Sequence, residues 1–177
     1  QYKQGRWESL QSEKEAKRYE TIIRMATEFG PENPSVLDIG SGDGVLTERF
    51  GADRYGYFLG VDFSKVSIEK AKAKNLKNAE FETADAITFQ PKQKFDVIVF
   101  NEAFYYIHDS EKQNVLDRML NSLTERGIII TSIYREGHGC WEYFKENENL
   151  NELAFETVTT DEKLRYWKIG AYVVSSG

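Results

Sequence analysis

Apolar residues follow two alternating rhythms along the chain. Short runs with strand character occur at Val36–Ile39, Phe58–Val61, Ala79–Thr83, Phe95–Phe100, Ile128–Ile133 and Trp167–Val174. Between them, apolar residues recur every three or four positions, the spacing of a helix with one buried face. Tyr19, Ile22, Ile23, Ala26 and Phe29 predict a helix over 12–30, stopped by Gly30-Pro31. Ser64 predicts the cap of a helix that packs Val66, Ile68 and Ala71 and leaves its lysines in water. Ser110 with Gln113 reads as a capping box before Val115, Leu116, Met119, Leu120 and Leu123. Trp141–Leu150 reads as helical. Near-continuous strands alternating with amphipathic helices predict a mostly parallel sheet covered on both faces. The expected fold is a single doubly wound α/β domain over 1–177, with about seven strands. It divides into an arm at 1–11, the first helix, a core at 36–134, and a loop with closing strands at 135–177.

Composition narrows the functional classes. The chain has 177 residues, 40% hydrophobic and 14% aromatic, which suits one folded domain with a sizeable core. Net charge is −6, and no block of basic residues occurs, so the electrostatic footprint of a nucleic-acid binder is missing. A small-molecule substrate is therefore expected rather than nucleic acid or a membrane, with the chain acting as a monomer or homodimer. Cys140 is the single cysteine, which excludes an intramolecular disulfide and reads as a buried thiol. The chain opens at Gln1 in a polar segment without a signal-peptide pattern, and no apolar run reaches membrane-spanning length. A cytoplasmic location is expected.

The chemistry concentrates at the ends of the apolar runs. Val36-Leu37-Asp38-Ile39-Gly40-Ser41-Gly42-Asp43-Gly44 is a strand entering a glycine-rich turn that opens a helix at Val45. Such a turn lets backbone approach a ligand closely and directs helix N–H groups at it. A dinucleotide site needs G-x-G-x-x-G, whereas here the glycines fall as G-x-G-x-G and Val45 holds the third dinucleotide position. Asp38 and Asp43 also suit a cationic ligand better than pyrophosphate. The later runs end at Asp62, Asp85 and Asn101-Glu102, where a doubly wound sheet binds its ligand.

These blocks resemble the class I S-adenosylmethionine (SAM)-dependent methyltransferases, a Rossmann-like family. Val36–Gly44 is similar to motif I, Gly60–Ser64 to the acidic end of strand two, and Thr83–Ala86 to the adenine-contacting turn. Phe95–Glu102 and Gly127–Ser132 resemble the fourth and fifth strands, so the likeness covers about residues 12–135. It implies SAM as cofactor, with Gly40, Ser41, Gly42, Asp62, Asp85, Ala86 and Asn101 lining its site. In that reading Asp62 takes the ribose hydroxyls, Phe63 the adenine face and Asp85 its amine, while Asp38 faces the ammonium.

The acceptor side is less determined. Glu102, Tyr105, Tyr106 and His108 follow strand four, where the transferable methyl belongs. His108, one of two histidines, is the candidate base for a hydroxyl acceptor, and also reads as a plain cap before Asp109-Ser110. Glu102 and Tyr106 are further catalytic candidates, and Tyr105, His138 and Trp7 are candidates for holding substrate. Asn101-Glu102-Ala103-Phe104 lacks the prolines of an N-P-P-Y loop, and Cys140 follows Gly139 rather than proline. The expected activity is methyl transfer to nitrogen or oxygen of a small molecule. A catalytically inactive SAM-binding subunit and a nicotinamide-dependent oxidoreductase are the competing readings.

Overall fold

The computed structural model describes residues 15–175. The first helix, α1, spans Ala16–Phe29 and buries Tyr19, Ile22, Ile23, Met25 and Ala26. Strands β1 (Ser35–Ile39), β2 (Tyr57–Asp62), β3 (Ala79–Thr83) and β4 (Phe95–Asn101) follow, with helices α2 (Val45–Phe50) and α3 (Lys65–Ala73) on the connections. Helix α4 (Asp109–Leu120) leads into β5 (Leu123–Tyr134), and the short helix α5 (Glu142–Lys145) into β6 (Leu150–Thr159) and β7 (Tyr166–Val174).

All seven strands join one sheet in the order β3-β2-β1-β4-β5-β7-β6. β1 to β5 pair in parallel, but β7 runs antiparallel to both β5 and β6. The sheet is thus mixed: β1 to β5 are parallel, in line with the mostly parallel expectation, and the closing edge is antiparallel. Alternation along β4 separates the two cores. Val97 and Val99 face α1 and α2, whereas Ile98 and Phe100 face α4 and α5. Each of these four side chains is at most 1% exposed, and burying one contributes roughly 1.5–3 kcal/mol.

Three local expectations change. The helix expected over Trp141–Leu150 shrinks to the four residues of α5, because the chain from Leu150 pairs with β7 as an edge strand. β6 escapes the apolar rhythm since it is only half-covered and carries a bulge between Glu152 and Ala154. Leu123, expected on a helix face, instead opens β5, and α4 is capped by His108 rather than Ser110. The arm at 1–11, Trp7 and the start of the expected first helix lie outside the described residues. Among those described, no helix is long and apolar enough to cross a membrane.

Candidate functional site

Strand order reverses between β1 and β4, and the loops leaving these two strands diverge there. The gap is the place where a doubly wound sheet opens a ligand crevice. A cavity of about 820 Å³ occupies it, walled by the loops after β1, β2, β3 and β4 and roofed by the start of α1.

The glycine turn forms its floor. Gly40 has φ +86°, and a Cβ there would lie 2.7 Å from the Asn101 carbonyl oxygen, so both conformation and space require glycine. Gly40 and Ser41 N–H groups donate to the Val61 carbonyl at 2.8 and 3.0 Å, tying the turn to the end of β2. Asp62 then links three loops. Its carboxylate accepts from Gly42 N–H and Ser64 N–H, each at 2.9 Å, and its carbonyl accepts from Ala84 N–H at 3.0 Å. Each carboxylate oxygen keeps further acceptor capacity toward the cavity. Asp85 folds the next loop by accepting from Ile87 N–H at 2.9 Å. Phe63 is 83% exposed, a bare ring at the cavity edge.

A buried polar cluster lies under the α1 side. The Arg18 guanidinium is buried, donating to Asn101 Oδ1 at 2.5 Å, Ser132 Oγ at 3.3 Å and Glu15 Oε1 at 2.9 Å. Glu102 accepts from Ser132 Oγ at 2.7 Å and stands 4.0 Å from Arg18. Its φ is +56°, an uncommon conformation for a residue with a Cβ, and such outliers concentrate at functional sites. Burial pushes the Glu102 carboxyl up to about 7 despite Arg18 and Ser132, which pull the other way. Asp38, fully buried at the end of β1, is likewise pushed up to about 7 by burial against the opposing Asn101 bond and Arg18 charge. Its Oδ2 accepts a long 3.5 Å bond from Asn101, and its Oδ1 has no partner among the described residues. A buried carboxylate oxygen without a donor is costly, so the site is electrostatically incomplete on its own.

Of the residues singled out in the sequence, Gly40, Ser41, Gly42, Asp62, Phe63, Asp85, Ala86 and Asn101 line the cavity. Glu102 and Tyr106 line it too, and Asp38 sits beneath it, closed off from solvent. Tyr105 stands behind the wall, its hydroxyl 3.4 Å from both Glu102 Oε1 and the Tyr106 hydroxyl. His108 is not in the wall. Its Nδ1 accepts from Ser110 N–H at 3.2 Å and caps α4, the plain helix-start role that the sequence also offers. His138 lies in an exposed turn after β5, also outside the wall. Arg18, Glu15 and Ser132 escaped sequence reading. For Arg18 a signal existed: it shares the α1 stripe of Ile22 and Met25, and an arginine on an apolar stripe needs buried partners.

A family model of a methyltransferase domain matches residues 31–171. The chain is similar to malonyl-[acyl-carrier protein] O-methyltransferase from Bacillus anthracis, 27% identical over 122 residues, 65% of this chain and 45% of that protein. It is also similar to trans-aconitate 2-methyltransferase from Agrobacterium fabrum, 35% identical over 94 residues, 52% of this chain and 35% of that one. The matched part is thus less than half the length of either relative. In fold it resembles the S-adenosyl-L-homocysteine (SAH) complex of the N-methyltransferase NodS from Bradyrhizobium japonicum. That likeness has a TM-score of 0.78 at 19% identity, covering 92% of this chain and 88% of the other.

Proposed function

The chain belongs to the SAM-dependent methyltransferase family, and from that premise we propose that it methylates a nitrogen or oxygen of a small molecule, an amine before a hydroxyl. The observation carrying the amine preference is the charge of the cavity. Among the described residues, Glu15, Asp43, Asp62, Asp85 and Glu102 line it against Arg18 as the single lining cation. Such a wall attracts cations and repels carboxylate acceptors.

The residues present fit the cofactor. The unpartnered Asp38 Oδ1 and the Gly40 turn, which a Cβ would block, suit an ammonium-bearing amino-acid end. Arg18 is the wall's partner for a carboxylate, Asp62 for paired hydroxyls, and Phe63 and Asp85 for a purine face and amine. Bound SAM supplies an electrophilic methyl on a sulfonium. The remaining work is to hold the acceptor in line and to take its proton, and both fall to the loop after β4. Glu102 is the proton acceptor in this reading, because a carboxyl titrating about 7 is poised for transfer at neutral pH. Tyr106 orients the acceptor, and Tyr105 steadies Glu102 from behind.

The test is transfer of labelled methyl from SAM to matched panels of primary amines, phenols and carboxylic acids. Label in the amines with little in the acids is expected. Preferential labelling of carboxylic acids overturns the amine reading.

A further inference from the structure

Helix α4 contributes no residue to the cavity wall, yet it reaches both lips through two cations. Near its C-terminal end, Arg118 Nη2 donates to the carbonyls of Ile87 at 2.6 Å and Ala86 at 3.2 Å. Ala86 and Ile87 line the cavity. Near the N-terminal end, buried Lys112 donates from Nζ to the Ile107 carbonyl at 2.5 Å and to Asp109 Oδ1 at 2.7 Å. Ile107 lines the opposite lip. The Arg118 Nε is buried and without a partner among the described residues, so this guanidinium is placed for its carbonyl contacts and not for a carboxylate.

The loop after β3 needs such a tether. β3 is the outermost strand on its side, so its following loop has sheet support from β2 alone. The loop's own hydrogen bonds are local, Ile87, Thr88 and Phe89 N–H groups turning back on Asp85. Among the described residues, Ala84 N–H to the Asp62 carbonyl is the hydrogen bond that ties it to β2. Hydrogen bonds from a charged donor are shorter and about twice as strong as neutral ones. Ala84, Ala86, Ile87 and Phe89 pack against the core, and Arg118 adds the charged long-range hydrogen bonds that fix the backbone of the segment carrying Asp85 and Ala86.

We propose that Arg118 is a positioning residue for ligand recognition, holding the Asp85–Ile87 edge of the cavity at a fixed height from outside the site. Lys112 does the same for the loop after β4, so that α4 acts as one strut under both lips. The ligand half of this inference rests on the cofactor reading above; the tether itself does not.

Amide hydrogen exchange on the ligand-free protein tests the tether. Arg118→Met is expected to raise exchange in 84–89 at least tenfold and leave 102–108 unchanged, with Lys112→Met giving the reverse pattern. Unchanged exchange in 84–89 overturns the tether. Titration with SAH and with S-inosylhomocysteine, which carries a carbonyl in place of the adenine amine, then tests recognition. Arg118→Met is expected to cost about tenfold for SAH and little for the inosyl analogue, with Arg118→Lys restoring part of the difference. Equal weakening of both ligands marks general destabilisation and overturns the recognition role. A wild-type protein that binds neither ligand overturns the cofactor reading instead, and the exchange experiment still decides the tether.

Discussion

The two sides of the cavity are built by different means. On the β1–β3 side, the cavity-lining groups come from consecutive residues: the Gly40–Asp43 turn, Asp62 with its neighbours, and Asp85–Ala86. Backbone geometry does the work there, and each piece is held by bonds to the adjacent loop. On the β4–β5 side, the groups converge from distant segments. Arg18, Asn101, Glu102 and Ser132 come from α1, β4, the loop after it, and β5. The first side is a local motif that tolerates little change in its glycines. The second is a network whose chemistry depends on burial and on partners far away in sequence.

The sharpest break in that comparison is on the motif side. Gly40→Val places a branched side chain where a Cβ already meets the Asn101 carbonyl at 2.7 Å, in a left-handed conformation. It is expected to lower stability by roughly 3 kcal/mol or more and to abolish SAH binding, read by thermal melting and titration. On the network side, Glu102→Gln keeps shape but not proton affinity. A rate loss of about 10²–10⁴ is expected, with SAH affinity within about twofold and the acid limb of the pH–rate profile removed. Equal loss of binding and rate contradicts the proton-accepting role.

The network also predicts a pH dependence of folding. Asp38 and Glu102 hold their protons to about 7 in the folded state, against ordinary values of 3.8 and 4.5. The folded form thus binds more protons than the unfolded one between about pH 4 and pH 7. Stability from this source is fully present below that window and is lost as pH rises through about 7. The slope reaches at most about 1.4 kcal/mol per pH unit per group. Denaturant melts of the ligand-free protein from pH 5 to 8 check this, and Asp38→Asn is expected to flatten the curve. The smallest effect belongs to His108→Ala, which removes a helix cap. A loss of about 1 kcal/mol is expected with turnover unchanged; a large loss of turnover at unchanged stability returns His108 to the catalytic candidates.

This division explains what the sequence revealed. Gly40, Gly42, Asp62 and Asp85 were legible because strand-end acids and a glycine turn leave a contiguous trace. The six apolar strands were legible for the same reason, while β6 was hidden by its half-buried edge position and bulge. Arg18 left a local trace on the apolar stripe of α1, but its partners Asn101 and Ser132 lie 83 and 114 residues away, which no local pattern encodes. His108 reads alike as base or cap from the sequence, and the helix start shows the cap role. The strained backbone at Glu102 had no sequence signal at all, since glutamate rarely adopts positive φ.

The crevice between β1 and β4 is expected to hold SAM, with Asp62 accepting from the cofactor. Calorimetric titration of the wild type and Asp62→Asn with SAM, SAH and NADH tests it most directly. Micromolar binding of SAM and SAH, weakened at least about tenfold by the substitution, and no NADH signal are expected; tenfold corresponds to about 1.4 kcal/mol. Saturable NADH binding without SAM or SAH binding contradicts it.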